Sequence, residues 1–367
     1  VSWRDWAEGE GDAIRAAGQW RSVRPLEGGG PAFGLDGHPV VSFASNDYLG
    51  LTQHPAVIAA AHAALDHEGS GSGSARLIVG GRPVHDELEA ELAAWKGQDR
   101  AVLFPTGFAA NLGALSVLGG PGVTIASDEL NHASIIDGCR LARGTVRIFR
   151  HGDLDELAGI LAGAERAIVV SDTVFSMDGD VADVPALSAV CAEHGALLVL
   201  DEAHAVLGPD VPDGPTELLR IGTLSKTLGS LGGFAAGPAP LVDLLVNRAR
   251  SFIFTTAPTP ADSAAALAAL RVLRSAEGDE LVARLRHHVD RLRPGHPSPI
   301  VPIVLGDEEL ALAAAAKLLD QGLLVPAIRP PTVAPGTSRL RVTLSAAHTD
   351  DDVDRLLAAL DELRATT

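Results

Sequence analysis

Lys226 stands among small and apolar residues, in Thr223-Leu224-Ser225-Lys226-Thr227-Leu228-Gly229, with Ile221, Leu231 and Phe234 close by in the chain. A lone lysine is usually a solvated surface charge. A lysine desolvated by such neighbours has a lowered pKa and becomes a nucleophile toward carbonyls. Upstream, Leu200-Asp201-Glu202-Ala203-His204 puts a carboxylate at the C-terminal end of an apolar strand, where open α/β sheets place their ligands. Taken alone, Asp201 reads as a helix N-cap.

The pair has one economical explanation. A pyridoxal cofactor needs a lysine amine for its Schiff base and a carboxylate beside its pyridine nitrogen, which stays protonated and withdraws electrons. It also needs a face over the ring and a cradle for its phosphate. His132, in Asn131-His132-Ala133-Ser134, can supply the face. Thr106-Gly107-Phe108-Ala109-Ala110-Asn111 can supply the cradle, as a turn opening a helix with free backbone N–H groups and a favourable dipole. Each feature is weak alone; the four in this order are much stronger.

Apolar runs at 101–104, 123–126, 167–171 and 196–201 predict strands, continuously apolar as in central parallel strands. Helical patterns at 154–162 and 184–194 lie between them, which predicts an open, mostly parallel α/β sheet with right-handed crossovers. A helical stretch from Trp3 to Trp20 and the turn-rich 27–31 form an N-terminal arm, residues 1–40. The large cofactor-binding unit covers 41–275 and closes with one long helix over 260–275. Helices at 281–293, 308–321 and 350–364 flank strands at 300–305, 323–327 and 339–344 in a small α+β unit, 276–367.

The chain has 367 residues, 46 % hydrophobic but only 4 % aromatic, so its core is built from Ala, Val and Leu. Its net charge of −18 excludes nucleic acid and anionic membranes as partners of the whole surface. An anionic ligand must then be held locally, by backbone amides and hydroxyls. Cys139 and Cys191 have no metal-ligand spacing, so no metal is expected, and they read as buried thiols in a reducing compartment. With no membrane-length apolar run and a polar, acidic start, the expected location is cytoplasmic.

These segments resemble the α-oxoamine synthases, a family of fold type I pyridoxal-phosphate transferases. The similarity runs nearly end to end. It is carried by Ser45-Asn46-Asp47-Tyr48-Leu49-Gly50-Leu51, Val174-Phe175-Ser176-Met177-Asp178-Gly179-Asp180, Asp201–His204 and the 327–341 stretch with its Arg329-Pro330-Pro331-Thr332-Val333 run. The resemblance implies that Lys226 carries pyridoxal 5′-phosphate and then moves the α-proton. Asp201 would pair with the pyridine nitrogen, His204 and Ser176 would bond the 3′-oxygen side, and His132 would stack on the ring. Gly107, Phe108 and Thr223 would hold the phosphate, joined from the neighbouring subunit of a homodimer by Thr255 and Thr256. Arg341, helped by Asn46, would hold the amino acid's carboxylate, with Arg329 and Arg339 as alternatives. Arg21 and Thr332 would line the acyl channel.

The implied reaction is decarboxylative condensation of L-alanine with a pimeloyl thioester, on CoA or a carrier protein, in biotin biosynthesis. Glycine with a short acyl-CoA, or a non-catalytic relative keeping the fold, are the alternatives. The chain departs from the family at Ala205-Val206-Leu207-Gly208 with its short 209–215 loop, at the 69–80 turn, and at Thr255-Thr256-Ala257-Pro258.

Overall fold

The computed structural model describes residues 1–211 and 214–366; Pro212 and Asp213 of the predicted 209–215 loop lie outside the described residues. Its centre is a seven-stranded sheet. The strands run in the order Arg100–Phe104, Gly233–Gly237, Leu218–Thr223, Leu197–Asp201, Ala167–Asp172, Thr124–Asp128 and Thr145–Phe149. Gly233–Gly237 is antiparallel to both its neighbours, and the other pairs are parallel. The sheet is thus α/β and mostly parallel, as the sequence predicts, with the four expected strands present within a residue or two. The other three are harder to read as strands. Thr145–Phe149 is an edge strand with four of five residues exposed, and Gly233–Gly237 is Gly-Phe-Ala-Ala-Gly, without a β-branched residue.

Alternate residues of the strands feed two apolar layers. On one face Phe104, Val170, Val199 and Ile221 pack on Ala114 and Leu115 of helix Gly107–Leu118 and Ile135 of helix Ala133–Leu141. On the other, Leu103 and Phe234 pack on Leu88 of helix Pro83–Lys96 and Leu270 of helix Pro260–Leu273. That second core continues into Val325, Leu340 and Val342.

The C-terminal strands Ile300–Gly306, Ser338–Thr343 and Ala327–Ile328 form an antiparallel sheet beside helices Glu308–Asp320 and Asp350–Thr366. The strand expected over 323–327 is broken. Pro326 has no N–H to offer a ladder, so Leu323–Leu324 pairs with His38–Ser42 while Ala327–Ile328 pairs with Ser338–Thr343. The N-terminal helix, Trp3–Ala16, stops short of Trp20 because Gly18 turns at φ +64°. The rest of the arm is more ordered than its turn-rich sequence suggests: Ala32–Leu35 and His38–Ser42 form a hairpin.

Candidate active site

The C-terminal ends of the parallel strands gather the predicted chemistry. Asp201 ends its strand, is buried, and has both oxygens occupied. Oδ2 accepts from Asn111 Nδ2 at 2.6 Å, and Oδ1 accepts from the Ala203 amide at 2.9 Å. Asn111 also donates to Ser134 Oγ at 2.9 Å. In the ladder Asp201 faces Asp172. Burial pushes Asp172 well above the usual carboxylate range, and the neighbouring Asp201 adds to this. Asp172 Oδ2 accepts the His132 amide at 2.7 Å, which fixes the start of the next helix.

His132 is the N-cap of helix Ala133–Leu141. Its Nδ1 lies 2.7 Å from Ser134 Oγ, and Phe108 meets its ring edge-on at 6.5 Å. Partial enclosure of the ring holds its pKa below the ordinary histidine value; Asp201 opposes this and the Lys226 charge reinforces it.

Lys226 follows strand Leu218–Thr223 in a tight turn closed by Gly229 N–H on its own carbonyl at 3.0 Å. Its side chain is half-buried and makes no hydrogen bond or ion pair among the described residues. Burial lowers its pKa, while Asp201 and Asp172 raise it in opposition. Its charge is also felt at His204.

His204 is buried, and its Nδ1 makes a short hydrogen bond with Tyr48 Oη. Burial, and then the Lys226 and Arg341 charges, push its pKa well down, so the ring is neutral. Tyr48 Oη lies 3.2 Å from Asn46 Oδ1, which accepts Arg341 Nη2 at 3.3 Å. Arg341 also donates from Nε to the Ser176 carbonyl at 2.5 Å and from Nη1 to Thr343 Oγ1 at 2.9 Å. Asn46, Ser176, His204 and Arg341 are therefore one buried network around Tyr48.

The three alternative arginines are separated. Arg339, two residues from Arg341 on the same strand face, pairs with Asp178. Arg329 donates to the Gly18 carbonyl at 3.3 Å and lies 3.7 Å from Glu308.

Thr106 caps helix Gly107–Leu118 by accepting the Ala109 amide at 3.0 Å, which leaves the Gly107 and Phe108 amides without intrahelical acceptors. A Cβ at Gly107 would press on Thr223 Cβ at 3.2 Å. Thr223 Oγ1 lies 2.6 Å from Ser225 Oγ, so two hydroxyls face this turn. Thr255 and Thr256 are not brought to it. They lie at the surface in a segment held by Ser72 Oγ on the Pro258 carbonyl at 2.6 Å and by Ala257 N–H on the Ser74 carbonyl at 2.9 Å. Arg21 and Thr332 do line one surface pocket of about 220 Å³, shared with Arg329 and Pro331 and not lined by Lys226.

Tyr48, Asn111, Ser134, Asp172 and Ser225 join the site without a role that the sequence alone suggests. Two of these carried a signal. Tyr48 is the chain's single tyrosine, two residues from Asn46, and Asn111 is the one amide in a helix of apolar and small residues.

These residues fit pyridoxal phosphate. An unpaired amine faces a carboxylate locked from behind by Asn111, and a glycine-lined helix start offers free amides and hydroxyls to a phosphate. Asn111 Oδ1 is buried without a partner, a polar atom left over at the same place.

The sequence pattern of the aminotransferase class I and II family matches residues 38–360, and the chain belongs to that family. Within it the chain is similar to the 8-amino-7-oxononanoate synthase of Anaeromyxobacter dehalogenans, at 48 % identity over 97 % of this chain and 94 % of the relative. Among solved structures it resembles the Sphingomonas wittichii serine palmitoyltransferase, with TM-score 0.90, 32 % identity, and coverage of 99 % and 97 % of the two chains. It also resembles the Francisella tularensis 8-amino-7-oxononanoate synthase, with TM-score 0.74, 26 % identity, and coverage of 88 % and 96 %.

Proposed function

We propose that this chain is a pyridoxal-phosphate-dependent acyltransferase of biotin biosynthesis, which condenses L-alanine with a pimeloyl thioester to give 8-amino-7-oxononanoate, CO2 and free thiol. The reading rests most on one observation: the unpaired Lys226 amine beside Asp201, with Arg341 held in the same site. The near-full-length similarity to 8-amino-7-oxononanoate synthases supports the choice of substrates.

When bound, the cofactor supplies an aldehyde that captures amines and a cationic ring that withdraws electrons from the amino acid's α-carbon. The chain's residues do the rest. Asp201, fixed by Asn111 and Ala203, keeps a proton on the ring nitrogen. Lys226, its amine favoured by burial, takes the α-proton and returns it after CO2 leaves. Neutral His204 and the Ser176 hairpin would bound the ring's oxygen side, and His132 would cover its face. Gly107, Phe108, Thr223 and Ser225 would hold the phosphate. Arg341 offers its guanidinium fork to the alanine carboxylate and orients it until decarboxylation. The new bond joins the alanine α-carbon to the thioester carbonyl carbon, and the carbon–sulfur bond breaks. Arg21 and Thr332 line the acyl entrance.

The functional unit is a homodimer with shared sites. Phe254 is 70 % exposed and Ile78 73 % exposed, and hydrogen bonds from 72–74 to 257–258 tie their two segments together at the surface that carries Thr255 and Thr256. That surface suits a second copy, whose phosphate site the two threonines would complete. The arm, large unit and small unit divide at 40 and 275; the pairing of His38–Ser42 with Leu323–Leu324 ties the arm's end to the small unit. Two free buried cysteines suit a cytoplasmic enzyme, and among the described residues no helix is long and apolar enough to cross a membrane.

The high structural likeness to a serine palmitoyltransferase favours a second reading, the same chemistry on serine and a longer acyl chain. Purified enzyme assayed with alanine and pimeloyl-CoA, serine and palmitoyl-CoA, and glycine and acetyl-CoA separates them. The first pair should release CO2 and thiol together; turnover confined to either other pair would overturn the substrate assignment.

A further inference from the structure

His151 lies just past the edge strand Thr145–Phe149, yet its ring spans two carboxylates. Nδ1 is 3.0 Å from Asp128 Oδ2 and Nε2 is 2.7 Å from Asp180 Oδ2. With a carboxylate at each nitrogen the imidazole is a cation donating both ways. Phe175 closes against it at 4.4 Å between ring centroids. Asp128 has 4 % of its side chain exposed and His151 28 %, so the bridge is anchored at its buried end on Asp128. Asp180 Oδ1 is buried with no partner, which leaves His151 as the hydrogen-bond partner of that carboxylate among the described residues.

Each carboxylate belongs to a piece of the site. Asp128 Oδ1 accepts the Leu130 amide at 2.9 Å and so shapes the turn that delivers His132. Asp180 belongs to the hairpin 174–181, closed by the Phe175 amide on the Asp180 carbonyl at 3.0 Å and by the Val174–Val181 bridge. That hairpin carries the Ser176 carbonyl, which takes Arg341 Nε at 2.5 Å, and Asp178, which takes Arg339. Its tip is docked so closely that a Cβ on Gly179 would meet the Ile300 carbonyl at 1.9 Å.

We propose that His151 is a positioning residue for the reaction: its ring ties the His132 turn to the Ser176 hairpin, and through the hairpin it sets Arg341 relative to Lys226. The inference rests on the functional reading above. It assigns His151 no contact with substrate.

The test uses full-length His151→Gln and, in case that variant folds poorly, Asp180→Asn. Each substitution breaks the Asp180 side of the bridge as a charged contact. The KM for alanine should rise about tenfold, the size of one lost charge-assisted hydrogen bond, while the KM for the pimeloyl thioester changes less than twofold. In the cofactor-free protein, amide hydrogen exchange across 174–181 should accelerate about tenfold while the strand amides of 167–172 keep their protection. Unchanged alanine KM with unchanged hairpin exchange in both variants would overturn the proposal. So would an equal loss toward both substrates with uniformly faster exchange, which marks an ion pair that only stabilises the fold. If wild-type protein does not turn over alanine, the functional reading fails by itself, and the exchange comparison still decides for His151.

Discussion

Asn111 Nδ2 donates to Asp201 Oδ2 at 2.6 Å, from a helix whose other residues are apolar or small. The amide therefore holds the aspartate from behind and leaves its charge to act on whatever lies in front. Asn111→Ala removes that hold and leaves Asp201 under-satisfied. Pyridoxal phosphate affinity should fall about tenfold, as expected when a hydrogen bond to a charged group is lost. Titrating the cofactor into apo protein measures this. An unchanged dissociation constant would mean that Asp201 is positioned by its strand alone.

Arg341 and Arg339 leave the same strand face but end on different partners, Ser176 and Asp178. Arg341→Lys keeps the charge and loses the fork. It should raise the KM for alanine about a hundredfold, in line with losing a desolvated bidentate contact. Arg329→Ala should leave that KM within about twofold, since Arg329 is spent on Gly18 and Glu308. Equal effects of the two substitutions would return the carboxylate to Arg329.

Two histidines set opposite pH limits on stability. Hydrogen bonds to Asp128 and then Asp180 push His151 up to about 10. The folded chain thus binds this proton more tightly than the unfolded chain. The stabilisation is complete below 6.5 and is lost as pH rises through about 10. His85 is pushed down to about 4, chiefly by burial. Its Nδ1 accepts the Arg82 amide at 3.1 Å and its Nε2 lies 3.0 Å from the Pro258 carbonyl, a neutral arrangement. Its contribution is present above 6.5 and is lost as pH falls through about 4. Melting temperatures across this range should show both limits. His151→Gln should flatten the alkaline one and leave the acidic one in place.

Glu202, next to Asp201, belongs to the framework. It pairs with Lys96 at 2.6 Å and with Arg220, and its side chain is 3 % exposed. Burial works to raise its pKa, but the two cations outweigh this and hold it below the usual range. Glu202→Ala leaves two buried cations facing each other and should cost about 3–5 kcal/mol of stability. Urea unfolding reads this directly. The alanine KM of the folded fraction should not move, which separates Glu202 from its neighbour Asp201.

Much of this was legible in the sequence because it depends on local signals. Apolar runs announced the central strands, and Thr106-Gly107 announced a helix start with free amides. Lys226, Asp201 and His132 stand at the ends of such elements, so the same local signals point to all three. What the sequence hid depends on tertiary contact. Asn111 is silent until helix Gly107–Leu118 packs under the strand that ends at Asp201. Asp172 is simply the last residue of a strand until the ladder sets it opposite Asp201. That Arg339 and Arg341 end on different partners shows only with the 174–181 hairpin in place. Gly233–Gly237 was missed because a buried antiparallel strand made of glycine and alanine has no alternation to read.

Lys226 is the residue on which the account turns. The most direct test is borohydride reduction of the cofactor-loaded protein, followed by peptide mass mapping, beside a Lys226→Ala control. One phosphopyridoxyl group is expected, on Lys226, with the control unlabelled and inactive toward alanine and pimeloyl-CoA. A label on any other lysine, or turnover by the control at the wild-type rate, would contradict it.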